Sequence, residues 1–404
     1  MQRWALVCLL AVGVIIAYVD RTNLSIALAS QDFRSHFDLS DYQRGLLNSA
    51  FFWSYTLMQI PSGLIVDRFG VRIPLAIAFG FWCIVAASTS MATEIWHLVA
   101  FRLALGVGES IVFPAGLAWM RTNMAEHERG LAAGIFVSGS KWGPAIAALL
   151  ASRLITNYGW QQMFLVLGAG GAIWLVPWLL FSKDNVNPSE AKQNVVEVPL
   201  AFLMKTPQMW GILIGTFCYN YFLFYSLTWL PAYFVERRHL SLSSMGVYSF
   251  FSFAGSAMVA VLAGAAADRL IRRGRDAVDV RRWFSVAGLV LASTEVIGAM
   301  SDSNQVAIFF AAFSLAGLGL ATANYWALTQ TLIPGTGGGR IAAMQNTSLN
   351  LAGVIAPIVT GWLKQVTGSY VAPMQAIWVV LIIGIIAFTV LIRKRVVWPA
   401  SAQA

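Results

Sequence analysis

Six ionisable residues interrupt otherwise apolar stretches of this sequence: Asp20, Arg21, Arg102, Glu109, Lys141 and Glu295. A charge at bilayer depth costs about 2.5–3.5 kcal/mol on insertion scales, so such residues mark ion or substrate pathways by default. Arg102 and Glu109 lie two helical turns apart on one face, at roughly 10 Å axial separation. They are too distant for direct contact, yet both can face one cavity. Neighbouring Asp20 and Arg21 diverge by about 100° around a helix. Asp20 is therefore expected to pair with Arg102 across helices, while Arg21 projects into a central cavity. The planar guanidinium of Arg21 can meet a carboxylate bidentately, so an anion suits it. Asp20 and Glu109 are candidate proton carriers, Glu109 because no cation lies close to it in the sequence and Asp20 when its arginine partner is drawn away. Glu295, late in its apolar stretch, is expected to be peripheral.

These side chains need long apolar helices to hold them. Hydrophobic residues make up 58% of the 404 positions and charged residues 11%, against about 25% charged in a soluble domain. A lipid-solvated surface follows. Windows of about 20 apolar residues predict twelve helices, at 4–29, 43–66, 73–93, 96–120, 130–154, 160–182, 208–234, 243–267, 282–300, 305–332, 340–363 and 371–392. The expected fold is an all-α membrane protein, with a six-helix bundle over 1–182, a polar linker over 183–206 and a second bundle over 207–404. Most of the 27 Lys and Arg residues fall in loops on the side that carries both termini, notably Arg269, Arg272, Arg273, Arg275, Arg281 and Arg282. That bias predicts cytoplasmic termini. The basic residues form no amphipathic patch, so the net charge of +9 sets topology and implies no nucleic-acid partner. Cys8, Cys83 and Cys218 lack metal or redox spacing, and the first apolar stretch reads as a span, not as a cleaved signal. No nucleophile–base pair, metal cluster or phosphate loop is evident, so neither an enzyme nor a metal site is expected.

Two loops repeat one pattern. One contains Gly63, Asp67, Arg68, Gly70 and Arg72; the other contains Asp268 and Arg269 at the matching place in the second half. Duplicated halves about a central site are a recurring transporter layout. Asp67 could cap a neighbouring helix N-terminus, and Arg68 and Arg72 could pair across the seam between the halves. The order and spacing of the first loop resemble the loop signature of the major facilitator superfamily, in which it latches one conformational state on the cytoplasmic side. Three further stretches, Tyr18–Ser25, Phe101–Pro114 and Leu227–Tyr233, resemble the anion:cation symporter family of galactonate, glucarate and hexuronate permeases.

That resemblance implies proton-coupled uptake of a small organic anion such as a sugar acid, in a bacterial inner membrane and by a monomer. No cofactor beyond the coupling proton is implied, and lipid and substrate are the partners. It places Asp20 and Glu109 at proton-coupling positions, with Arg102 beside them, and Arg21 at the substrate carboxylate. Tyr55, Trp326 and Asn346 match cavity positions, and Tyr225 and Asn350 are further candidates for sugar hydroxyls. Lys141 stands where galactonate-type relatives place glutamine. It either adds a second cationic contact, which would favour a more negatively charged substrate, or snorkels or pairs with Glu109. Gly139, Gly143 and Pro144 partly resemble the signature of antiporters, which leaves proton-driven export as the alternative. The same small residues also serve close helix packing.

Overall fold

In the computed structural model, residues 2–183, 200–332 and 338–396 are described, and among them the only regular structure is helical. Twelve spans follow one another: α1 (Gln2–Ala29), α2 (Asp41–Phe69), α3 (Arg72–Ser88), α4 (95–123), α5 (126–158), α6 (160–181), α7 (207–232), α8 (Leu242–Arg272), α9 (277–300), α10 (Asn304–Leu332), α11 (Gly338–Thr367) and α12 (Val371–Ile386). By length and hydropathy alone nine stretches qualify as membrane spans, and one of them, Glu128–Phe181, holds both α5 and α6. The break between these two is Gly159, whose φ of 85° is open to glycine at little cost. Of the expected linker, residues 184–199 lie outside the described residues; Leu200–Leu203 form a short helix.

The chain forms two compact units. The first holds α1–α6 together with Leu227–Phe251 and Thr360–Gln365; the second holds the remainder of α7, α8 and α11 with α9, α10 and α12. Within the first unit, glycines set the helix spacing. A Cβ on Gly139 would sit 2.7 Å from the Ala11 carbonyl, and one on Gly143 would collide with Tyr18. These glycines therefore seat α5 directly against α1, as small residues do in membranes. Gly106 does the same for α4 on α2: a Cβ there would collide with the Phe51 carbonyl and the Ser54 hydroxyl.

Span α4 is not continuous. Its helix stops at Glu109 and resumes at Val112. Pro114 has no N–H to offer the Ser110 carbonyl four residues back, and its ring crowds that carbonyl. Gln59 Nε2 donates to the freed oxygen at 3.5 Å, and the Ser110 hydroxyl shares a 2.6 Å hydrogen bond with Ser62. Glu109 thus sits at a helix discontinuity inside the membrane.

The repeated loops lie at the ends of α2 and α8. Gly70 closes α2 with a φ of 79°, and the chain turns so that Arg72 opens α3 beside the end of α6. Arg72 Nη2 donates to the Leu179 carbonyl at 2.6 Å, one of the last-turn carbonyls that lack an intrahelical partner. This bond lies within the first unit. The N-cap position of α3 supplies no side-chain hydrogen bond. Arg68 lies over the Phe69 ring at 5.3 Å, and a Cβ on Gly63 would meet no described residue beyond its own stretch of helix within 4 Å. In the second loop Asp268 accepts from Arg281 at 3.4 Å, and Arg269 lies in the last turn of α8.

Candidate functional site

The first unit brings Arg21 and Glu109 together. Arg21 Nε lies 2.6 Å from Glu109 Oε2, with 9% and 0% of the two side chains exposed. The guanidinium sits against three rings: Tyr18 at 4.4 Å, Tyr55 at 4.5 Å and Phe51 at 4.9 Å. Tyr18 lies on the face of Arg21 one turn earlier, and Phe51 and Tyr55 share a face of α2 as an i, i+4 pair, stacked at 5.3 Å. Gly106, one turn before Glu109, seats α4 against α2 at Phe51 and Tyr55, the residues whose rings face Arg21. Ring faces attract a cation, by about 0.5–2 kcal/mol depending on desolvation. One donor and one acceptor of the pair stay unsatisfied by protein: Arg21 Nη2 and Glu109 Oε1.

This geometry corrects two expectations. Glu109 was expected to lack a nearby cation, but it has one in Arg21, contributed by another helix and therefore invisible along its own. Asp20 was expected to pair with Arg102 through side chains. Instead Arg102 Nη1 donates to the Asp20 main-chain carbonyl at 3.1 Å and Nη2 to the Arg21 carbonyl at 3.0 Å. A carbonyl engaged in a helix keeps a second lone pair, and a forked guanidinium can take two in a row. Arg102 therefore braces α1 at the two residues that matter. Asp20 is 1% exposed, and its Oδ1 accepts from Asn23 at 3.4 Å.

Lys141 is half-buried on α5. It shares a helical face with Ala148 and Ser152, which press against Gly246 of α8, and this face is roughly opposite the Gly139 and Gly143 seam. That seam gives the two glycines of the antiporter-like stretch a packing role. In the second unit Tyr225 is fully buried, and Trp326 is half-buried against Tyr325 at 5.6 Å. Asn346 is half-buried and Asn350 is 1% exposed. The Asn350 amide donates to the Asn346 carbonyl at 2.9 Å, so that contact is internal to α11. Beside them Gln345 is fully buried; its Nε2 donates to Thr216 at 3.0 Å and its Oε1 has no protein partner. Glu295 is not peripheral: it is 4% exposed and accepts from Ser314 of α10 at 2.5 Å.

A second ionic group went unread in the sequence. At the opposite end of the first unit from the chain's N-terminus, Glu236 accepts from Arg44 and from Lys364, both at 2.7 Å, and pairs with Arg34 at 3.1 Å. Asp41 binds the same Arg44 and Lys364 at 2.7 Å each. The Trp229 ring lies 4.7 Å from the Arg44 guanidinium and 5.8 Å from the Lys364 ammonium. A capping box between Ser40 and Gln43 starts α2 here and fixes the turn that carries Asp41 and Arg44. Burial alone would push the Glu236 carboxyl up, but Arg44 and Lys364 outweigh it and hold it down at about 2. Along the chain these residues look like ordinary span-end charges, and their convergence needs three distant segments.

Comparison with known proteins agrees with this architecture. Residues 10–278 match the Major Facilitator Superfamily. A protein of Cupriavidus necator named "Probable sulfoacetate transporter" is 30% identical over 92% of this chain and 90% of its own. The "D-galactonate transporter" of Escherichia coli O6:H1 is 28% identical over 98% of this chain and 97% of its own. The fold matches that of a bacterial homolog of the human lysosomal transporter Spinster, with a TM-score of 0.80, 17% identity and coverage of 96% of this chain and 95% of the other. The chain is a multi-pass membrane transporter, not an enzyme, and belongs to the Major Facilitator Superfamily.

Proposed function

We propose that this transporter carries a small organic anion, a sugar acid or an acid of similar size, into the cell together with protons by alternating access. The observation that carries the proposal is the Arg21–Glu109 ion pair in its aromatic cage, with Nη2 and Oε1 left over. A substrate carboxylate and the Glu109 carboxylate are rivals for one guanidinium. While Glu109 is ionised it holds Arg21 Nε, and the fork is half occupied. Protonation of Glu109 removes its charge and releases Arg21 to take a substrate carboxylate bidentately. Loss of that proton on the other side restores the pair and expels the anion. Proton and anion then travel together because each opens the way for the other. The ring faces of Tyr18, Phe51 and Tyr55 hold the guanidinium in place as its partner changes.

Asp20 and Arg102 are the second part of the coupling, with Arg102 linking the main chain of both Asp20 and Arg21. Tyr225, Trp326, Asn346 and Asn350 are the proposed contacts for sugar hydroxyls, and Lys141 the proposed second cation for acids with an additional anionic group. The names of the sulfoacetate and galactonate transporters support this substrate class. Within the proposal the chain works as a monomer with no cofactor beyond protons, sits in a bacterial inner membrane, and keeps both termini and the 183–206 linker in the cytoplasm. The duplicated loops around Asp67 and Asp268 are the proposed cytoplasmic latches between halves 1–182 and 207–404.

The test is uptake into proteoliposomes of labelled galactonate, glucarate and sulfoacetate, with the outside acidic or at equal pH. Accumulation of at least one anion under the inward proton gradient supports symport. Expulsion under the same gradient, or uptake indifferent to it for all three, overturns it.

A further inference from the structure

Asp20 has a pocket of its own. It lies wholly inside the first unit, between α1, α3, α4 and α6, and its lining includes Asp20, Asn23, Ala86, Thr89, Arg102 and Phe164. Its volume is about 10 Å³, the space of roughly one water molecule. Two polar atoms of its lining residues have no protein partner: Oδ2 of Asp20 and Nε of Arg102. They are complementary. One water has the chemistry for both, since it donates to a carboxylate oxygen and accepts from a guanidinium N–H; Thr89, whose hydroxyl donates to the Val85 carbonyl at 3.2 Å and keeps its lone pairs, lines the same pocket. Buried waters make about three such bonds.

Placement gives the pocket a direction. Asp20 lies about 14 Å along α1 from its end at Ala29. Thr89 sits in the single turn that ends α3 at the same end of the bundle, and Leu98 and Phe164 lie in the first turns of α4 and α6 there. The pocket therefore runs from Asp20 toward the end opposite the N-terminus, the outer end in the orientation proposed above. The Arg21–Glu109 pair lies elsewhere: neither residue lines the pocket. The charged and titratable groups around Asp20 are Arg102 and Glu109 from α4 and Cys83 from α3, with Arg21 next in the chain. Phe164, the pocket residue from α6, carries no titratable group.

We propose that this pocket holds one water that passes protons between the outer side and Asp20, by a route separate from the anion's. The inference rests on the symport proposal and adds to it that the two coupled species enter by different doors. The pocket water takes a proton from a hydronium on its outer side, which is left as water, and gives another of its protons to Asp20 Oδ2; it ends as the same neutral molecule, free to accept from Arg102 Nε. Neutral Asp20 no longer attracts the Arg102 guanidinium, which braces the Arg21 carbonyl, so the proton's arrival is felt next to the anion site without sharing its space.

Ala86→Val adds two carbons at a residue that lines the pocket, whereas neither Arg21 nor Glu109 lines it. Proteoliposomes carrying wild type or variant are compared in two assays, proton-gradient-driven uptake and counterflow exchange of the same labelled anion at equal pH. Wild type must first show gradient-driven uptake; its absence refutes the symport proposal before the variant is considered. The expected result is that Ala86→Val loses most gradient-driven uptake and keeps counterflow. Wild-type levels of both overturn the pocket route. If Ala86→Val loses both, Thr89→Val decides, since it keeps the side chain's shape and removes the hydroxyl from the pocket lining. Selective loss of driven uptake in Thr89→Val supports the route, and any other pattern there overturns it. Uptake driven by a sodium gradient at equal pH would put a metal ion in the pocket instead and also overturns it.

Discussion

Replacing Glu236 by Gln tests whether the ionic cluster holds the first unit together. The carboxylate accepts from Arg44 and Lys364 at 2.7 Å and pairs with Arg34 at 3.1 Å, with 12% of its side chain exposed. Its carboxyl is held at about 2 against an ordinary 4.5. At about 1.36 kcal/mol per unit, the displacement corresponds to about 3 kcal/mol favouring the folded, ionised form. Because the folded value is depressed, that stability is fully present above 4.5 and is lost as pH falls from there toward about 2. Glu236→Gln keeps the size and removes the charge. It should therefore unfold several degrees lower than wild type at pH 7.5, and the gap should narrow once the pH drops below 4.5. The assay is thermal unfolding in detergent, followed by tryptophan fluorescence, across that pH range. A double-mutant cycle with Arg44→Ala should show a coupling of at least about 1 kcal/mol. Equal melting at pH 7.5, or a gap that stays constant on acidification, would refute the reasoning.

Three further outcomes follow from the geometry. Arg21→Lys keeps the charge but loses the planar fork and its fit among the rings, so anion binding should weaken by about 10- to 150-fold, corresponding to 1.5–3 kcal/mol for charged hydrogen bonds, as read by ligand titration on purified protein. Gly143→Val forces α5 off α1 at Tyr18 and should cost about 1–3 kcal/mol as an overpacked contact, visible as a lower melting temperature. Ser314→Ala deprives buried Glu295 of a hydrogen bond and should destabilise by about 1–3 kcal/mol, with transport per folded molecule unchanged; a selective loss of transport would instead assign Glu295 a place in coupling.

The spans were legible because lipid demands long apolar helices, and each predicted helix overlaps an observed one. The interruption of α4 was written in Pro114 but went unread, because composition windows average over a single missing N–H. The intramembrane charges could be listed from the sequence, yet their partners could not. Arg21 and Glu109 meet beside the seam where Gly106 seats α4 against α2 at Phe51 and Tyr55, a fact about spacing between helices and not along one. The assignment of Arg102 to the Asp20 carboxylate failed for a similar reason: helical carbonyls keep acceptor capacity that no sequence pattern displays. Glu295 looked peripheral by its distance along its span, but burial is set by the helix that packs over it, here α10 with Ser314. The turn that carries Asp41 and Arg44, then Glu236, then Lys364 lie more than a hundred residues from one another along the chain, so only the fold could bring them into one cluster.

The central claim is that a substrate carboxylate replaces Glu109 on Arg21 only as Glu109 takes up a proton. Calorimetric titration of the bound anion at pH 7.5, in two buffers of different ionisation enthalpy, counts that proton directly. The account predicts net proton uptake on binding in wild type and its disappearance in Glu109→Gln, which should still bind the anion. Binding to wild type without proton uptake, or uptake that survives in Glu109→Gln, would contradict it.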